Sequence, residues 1–244
     1  MALVVAGAAV IAVAALPFLS QPSRAAWPFL AVSAALHVVY FALIAEAYER
    51  GDVSVAYPLM RGTAPMLTAV LAWAVLGERL PPVGWLGIAI ICGGVALMAH
   101  RTNAGGENGA IRVALANAVV IAAYTLNDAT GARASDAAVA YTLWILPLTA
   151  VPALLWLRRG QLPRWPTLAE MGRGVGGGAC TLSAYALALW AMTVAPVAPV
   201  AALRETSMLF GIALARLFLR ERLGRRGWGA ATAIAIGAAI LRLG

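Results

Sequence analysis

Apolar runs long enough to cross a bilayer follow one another along this 244-residue chain with almost no polar interruption, and they constrain its fold more than any other feature. A hydrocarbon core of about 30 Å needs roughly 17–25 residues of helix. Nine segments fit or nearly fit: 2–19, 27–47, 53–76, 82–99, 111–130, 137–157, 175–194, 199–219 and 227–241. The last is short and needs neighbouring residues or local thinning to span. Backbone amides in lipid must be satisfied internally, so only helices or a closed barrel can cross. The runs are continuous rather than alternating, which excludes the barrel. The reading is an all-α polytopic membrane protein.

Composition agrees. Apolar residues make up 62% of the chain and charged residues 11%, against about 25% charged in soluble domains. The net charge of +8 carries no nucleic-acid signal: all 18 basic residues are arginine, and most sit in short segments between apolar runs. That distribution suits a membrane protein. Membrane lipid is therefore an expected partner and nucleic acid is not. Cys92 and Cys180 lie inside apolar runs without CxxC or Cys/His spacing, so they read as packing residues rather than zinc ligands or a disulfide. No HExxH, no GxSxG and no Asp/Glu cluster at metal-ligand spacing occurs, so neither an enzyme nor a metal or cofactor is expected. The first segment lacks a basic start, and Pro22 and Arg24 stand where a leader would need small residues. It reads as a retained helix rather than a cleaved signal. Gly172-x-Gly174-x-x-Gly177 spells a dinucleotide fingerprint, but no strand precedes it and a membrane helix follows. Gly174, Gly178, Gly211 and Ala215 instead permit close helix approach.

The chain repeats itself at an offset of 143 residues. Arg61 maps to Arg204, Thr63 to Thr206, Leu71 to Leu214, Ala72 to Ala215 and Leu76 to Leu219. Glu78–Arg79–Leu80 maps to Glu221–Arg222–Leu223, Gly84–Trp85 to Gly227–Trp228, and Gly94 to Gly237. Apolar helices match by chance, but Arg, Thr, Glu and Trp in one gapless register do not. The boundaries read as a first repeat over 1–100, a linker over 101–110 and a second repeat over 111–244. The fifth helix, moved back by 143, falls before residue 1. Four helices thus stand against five, and the first helix of the first repeat is expected to be missing.

The stretch "AYERGDVSVAYPLMRGTAPMLTAVLAWAVLGERLPPVGWLGIAIICGGVALM", residues 47–98, resembles the EamA repeat of the drug/metabolite transporter superfamily. The resemblance rests on the Pro65-containing helix, its Gly77–Glu78–Arg79–Leu80 end, and the following helix with Gly93–Gly94. "VAALRETSMLFGIALARLFLRERLGRRGWGAATAIAIGAAIL" repeats the pattern, with Arg220 where the first repeat has Gly77. The likeness implies ten helices in two inverted five-helix repeats around a central cavity, and efflux of amino acids or related metabolites. "YPLMRGTAP" is also similar to members linked to phosphonate use.

Polar residues inside the spans are the candidate site. Arg61 and Arg204 lie at symmetry-related positions about two turns inside their helices. A charge in hydrocarbon costs roughly 2.5–3.5 kcal/mol even on the insertion scale, so each should face a cavity or a partner. They suit recognition of a carboxylate or phosphate; the alternatives are snorkelling, or pairing of Arg204 with a carboxylate such as Glu205. Ser33, His37, Tyr40 and Ile44 share one helix face, with His37 the candidate for proton coupling or else a simple interhelical hydrogen bond. Asn117, Tyr124 and Asp128 share a face of the fifth helix, Asp128 near enough to its end to be solvated. Thr181 and Tyr185 are four apart on the seventh, with Trp190 on another face. Arg61, Arg204, Tyr40, Asn117, Tyr124, Thr181 and Tyr185 are therefore the candidate substrate residues. Pro58 and Pro65 remove backbone donors beside Arg61 and are expected to kink or gate that helix. Glu78–Arg79 and Glu221–Arg222 read as structural helix ends.

Alternating the sides of the membrane places Arg50, Arg101, Arg158, Arg159, Arg164, Arg173, Arg220, Arg222, Arg225 and Arg226 with the N-terminus. Arg24, Arg79, Arg133 and Arg242 fall opposite. The bias favours a cytoplasmic N-terminus; the family resemblance implies a cytoplasmic C-terminus. The functional expectation is a multi-pass secondary transporter of the bacterial inner membrane. It would move a small polar or amphipathic metabolite, amino-acid-like and anionic if the arginines bind it, outward by alternating access. Proton coupling and a homodimer are further expectations. The alternative is a truncated, non-transporting member or partner subunit.

Overall fold

The computed structural model describes residues 2–98, 107–157, 167–218 and 224–243. Most of the 101–110 linker, Arg101, Arg158, Arg159, Arg164, Leu219, Arg220, Glu221, Arg222 and Leu223 lie outside the described residues, as does the side chain of Ala215. The described residues form helices α1 (Ala2–Ala15), α2 (Trp27–Arg50), α3 (Val53–Leu76), α4 (Pro82–Leu97) and α5 (Glu107–Ala134). These are followed by α6 (Ala138–Leu157), α7 (Leu168–Val194), α8 (Val197–Leu203), α9 (Ser207–Phe218) and α10 (Arg225–Leu243). A 3-10 turn over Arg204–Thr206 joins α8 to α9, so together they make one interrupted span.

Each boundary has a local cause. Asp52 caps α3 by accepting from the Ser54 N–H at 2.8 Å. Gly77 closes α3 in the left-handed region at φ 68°, which a side chain would resist. Pro81–Pro82 opens α4 at a point where missing N–H donors cost nothing. The seventh helix starts at Leu168 rather than 175 because Thr167 and Glu170 form a reciprocal cap. The Thr167 N–H donates to Glu170 Oε2 at 2.8 Å, and the Glu170 N–H to Thr167 Oγ1 at 3.3 Å. The ninth segment extends to 19 residues as α10, about 28 Å of helix, which relieves its expected shortness. Five segments are long and apolar enough to cross a membrane: Arg24–Arg50, Val53–Leu76, Gly109–Ala134, Leu168–Val194 and Val197–Phe218. Shorter apolar stretches are Leu3–Phe18, Pro82–Leu97 and Ala138–Pro152.

The chain forms two compact units that do not follow the order of the sequence. The first comprises Met1–Phe41 and Asn127–Val194. In it α1 packs on both α6 and α7, with Ala12, Leu16, Ala140, Leu143 and Leu182 buried together. Gly174 lets α7 approach α1: a Cβ there would stand 2.8 Å from the Leu3 carbonyl oxygen. Gly178 lies equally close against Ala8. The glycine motif is thus a packing face, as its lack of a preceding strand implied. Gly211 differs from the expectation: nothing approaches within 4 Å of a Cβ built there.

The second unit comprises Ala42–Leu126 and Ala195–Gly244. Its principal contact joins α4 to α10, which are each other's counterparts at the 143-residue offset. The contact is reciprocal. A Cβ on Gly94 would lie 3.1 Å from Ala230 O, and one on Gly237 would lie 2.8 Å from Gly87 O. Gly94 and Gly237 are repeat equivalents, as are Gly87 and Ala230. Likewise Gly94 meets Ile234 at 3.0 Å and Gly237 meets Ile91 at 2.7 Å, again an equivalent pair. Early residues of one helix meet late residues of the other, so the two run antiparallel. Equivalent helices packed antiparallel through the same surface define a local two-fold across the helix axes, the relation of inverted repeats.

This contact tolerates no added volume. Gly237→Val should lower the melting temperature of the purified protein by an amount matching about 1–3 kcal/mol of overpacking. Gly93→Ala, which would meet nothing within 4 Å, should leave it unchanged or slightly raised. Thermal unfolding followed by circular dichroism compares the two.

Candidate functional site

The first unit holds a carboxylate with no exposed surface. Asp128, near the end of α5, is 0% accessible, which corrects the expectation that it is solvated. The end of α5 is fastened on several sides. Asn127 Nδ2 donates to the Phe29 carbonyl on α2 at 2.9 Å. Arg133 Nε donates to the Met192 carbonyl on α7 at 2.8 Å. Ser23 Oγ donates to the Ala134 carbonyl at 2.7 Å. These ties hold Asp128 inward. Its Oδ2 accepts a short hydrogen bond from the Tyr185 hydroxyl of α7. Its Oδ1 accepts from Asn127 Nδ2 at 3.2 Å and, at a long 3.5 Å, from the Tyr141 hydroxyl of α6. Gly131, one turn along α5, makes room for that phenol: a Cβ there would stand 2.5 Å from Tyr141 Cζ and 2.7 Å from Phe29 Cβ. Among the described residues no cationic side chain pairs with Asp128.

His37 extends the cluster. Its ring stands edge-on to Tyr185, centroids 6.0 Å apart, and to Tyr40 at 6.3 Å. Its Nδ1 lies 2.9 Å from the Ser33 carbonyl oxygen and 3.3 Å from Ser33 Oγ. A carbonyl oxygen only accepts, so Nδ1 carries the hydrogen and Nε2 is left as the basic nitrogen. Ser33 is fully buried, whereas His37, Tyr40 and Tyr185 are half-buried. Thr181 does not join them: it is exposed and donates back to the Gly177 carbonyl at 2.9 Å. Trp190 is likewise exposed.

The second unit contains the arginines. Arg61 forms a two-pronged ion pair with Glu205, Nη2 to Oε1 at 2.7 Å and Nε to Oε2 at 3.1 Å. Glu205 is only 3% exposed. The partner that sequence reasoning assigned to Arg204 thus belongs, in this fork, to Arg61, and Arg204 adds a further positive charge near the same carboxylate. Asn117 is fully buried and donates from Nδ2 to Met60 Sδ at 2.9 Å, while its Oδ1 accepts nothing. Tyr124 is buried in this unit as well. The expected kink at Pro58 and Pro65 is not where the interruption falls. Both prolines are buried within a continuous α3, and the break lies at Arg204–Thr206, which presents Glu205 to Arg61. Tyr141, Asn127 and Gly131 escaped the sequence reading altogether. Glu205 carried a visible signal, an acid inside an apolar run.

Inverted repeats, apolar spans and a buried polar site define a multi-pass membrane transporter rather than an enzyme. The chain belongs to the EamA-like transporter family, whose model matches residues 1–99 and 109–243. It is 31% identical over 67 residues to the spermidine export protein MdtI of Salmonella paratyphi B and of Salmonella newport. That match covers 28% of this chain and 62% of the length of those relatives. A solved crystal structure superposes with a TM-score of 0.80 over 99% of this chain and 87% of its own, at 19% identity; it shares the fold.

The Arg61–Glu205 pair should behave as a structural unit. Arg61→Met or Glu205→Gln alone strands a buried charge and should cost about 3–5 kcal/mol. The double variant should recover most of that loss. A double-mutant cycle of chemical unfolding measures the coupling.

Proposed function

We propose that the protein is a secondary transporter that exports a small polar or amphipathic metabolite by alternating access, with its substrate site around Asp128. The repeats then span 1–100 and 111–244, joined by the 101–110 linker. The observation that carries this reading is the buried carboxylate of Asp128, held by phenols rather than by a cation. Ionisable residues inside membrane spans are costly and mark substrate or ion pathways. Asp128 has no accessible surface, so loading the site requires an opening, as alternating access supplies. Tyr185, Tyr141, His37 and Tyr40 give the site aromatic walls suited to an amphipathic body. The similarity to relatives named for spermidine export supports the outward direction. Arg61, with its fork filled by Glu205, is better assigned to holding the second unit together than to binding an anion. Coupling to protons would run through His37 and Asp128.

Purified protein in proteoliposomes should move at least one member of a panel of amines, amino acids and organic acids when a pH gradient is imposed. The flux should collapse when a protonophore is added. Folded protein that moves no panel member above protein-free vesicles would overturn the reading.

A further inference from the structure

We infer that Asp128 receives a primary ammonium group of the substrate, and that a proton and this ammonium occupy the carboxylate in turn. The inference rests on the Asp128 site proposed above and names the chemistry it accepts. A carboxylate removed from water is compensated in one of two ways, by a cation or by protonation. Glu205, the buried acid of the second unit, has its cation built in as Arg61. Asp128 has hydroxyl and amide donors only. Three donors oriented on two oxygens still leave acceptor capacity for an N–H group, since an ionised carboxylate offers about four lone-pair directions.

The surroundings favour a cation over an anion or a neutral hydroxyl. From α6 the facing titratable group is Tyr141, from α7 it is Tyr185, and from α2 it is His37, against Tyr185. On α5 itself Arg133 is turned to the Met192 carbonyl and is exposed. Helix α1 contributes no titratable side chain. The aromatic walls present π-faces, which attract an ammonium electrostatically. An anion would meet a carboxylate and no cation. Each phenol donates to Asp128, so its oxygen remains an acceptor that can turn to an incoming ammonium.

Exchange then balances simply. With the ammonium bound, Asp128 is a carboxylate; when the ammonium leaves, a proton takes its place, and no covalent bond other than O–H forms or breaks. Tyr185 lies between Asp128 and the half-buried His37, which places the imidazole on the proton's route.

Pentylamine, pentanol and pentanoate share one alkyl chain and differ only at the head group, and all three can be titrated into full-length protein in detergent. Like a lysine side chain, whose pKa is about 10.4, the amine stays charged from pH 6 to 8. Isothermal titration in weak buffer reports affinity and protons released. Pentylamine should bind more tightly at pH 8 than at pH 6 and release up to one proton per ligand. Pentanol and pentanoate should bind at least about tenfold more weakly. Asp128→Asn should abolish both the binding and the proton release. Tyr185→Phe removes a donor from the carboxylate, so the pH of half-maximal binding should move up, a shift that a purely structural role would not produce. Equal binding of pentanol, preference for pentanoate, or wild-type binding by Asp128→Asn would overturn the inference. If Asp128→Asn does not fold, an unmoved pH midpoint in Tyr185→Phe does so. Amine binding of this kind without transport of any panel member would sink the transport reading and leave this one standing. Transport that persists in Asp128→Asn would do the reverse.

Discussion

A helix in hydrocarbon has no water to complete its polar groups, and nearly every polar contact in this molecule answers that constraint. Hydroxyls inside the spans turn back on their own helices: Thr68 to the Ala64 carbonyl at 2.9 Å, Thr142 to Ala138 at 2.8 Å, Thr149 to Ile145 at 2.7 Å. Helix ends are completed by other elements. Glu78, just beyond α3, accepts from the Val197 N–H at the start of α8 at 2.8 Å. Ser23 completes the end of α5 and Arg133 the end of α7. These bonds satisfy orphan backbone groups, and they also fix which helices lie side by side. Packing by glycine then sets how close they come.

The local two-fold through α4 and α10 shows how a repeated sequence becomes architecture. Gly94 and Gly237 do the same work on opposite sides of one contact, so each constraint on the first repeat is a constraint on the second. The symmetry breaks where chemistry is needed. Glu205 is the counterpart of Gly62, which packs so tightly on α4 that a Cβ would lie 3.1 Å from both Cys92 O and Ala96 N. The first repeat uses that position for close approach and keeps α3 continuous. The second places a buried acid there and tightens the chain into a 3-10 turn. Short 3-10 stretches within longer helices often mark hinges or strain. Here the turn is pinned by an ion pair to the equivalent segment of the other repeat.

Length and continuity of the apolar runs disclosed the helices, because a bilayer leaves few other solutions. The repeat disclosed which helices would be equivalent, though not that equivalents would pack on each other. Some misses were legible and overlooked: Thr167-x-x-Glu170 is a capping box, and it moved the start of α7 by seven residues. Others lay beyond sequence. Tyr141 sits in an apolar run like any interfacial tyrosine, and only the fold brings its hydroxyl to Asp128. Pro58 and Pro65 signalled a kink in α3, yet the break arose in α8–α9, where a tertiary ion pair outweighs local propensity. Arg61 advertised itself as an anion site because its partner is 144 residues away.

The two buried acids now separate by a single criterion, whether the compensating charge is part of the protein. Glu205 is neutralised permanently by Arg61, so it can hold a break in a helix but has nothing to exchange. Asp128 has no such partner, and its compensation must arrive from outside. An empty, deprotonated Asp128 is the costly state: a charge at membrane depth costs roughly 2.5–3.5 kcal/mol even on the forgiving scale. That corresponds to roughly a hundredfold suppression. A transporter that must reorient its site through an occluded form will therefore do so with either a proton or a cation in place, and rarely with neither. Tight exchange follows from the absence of one basic side chain, with no separate coupling device required.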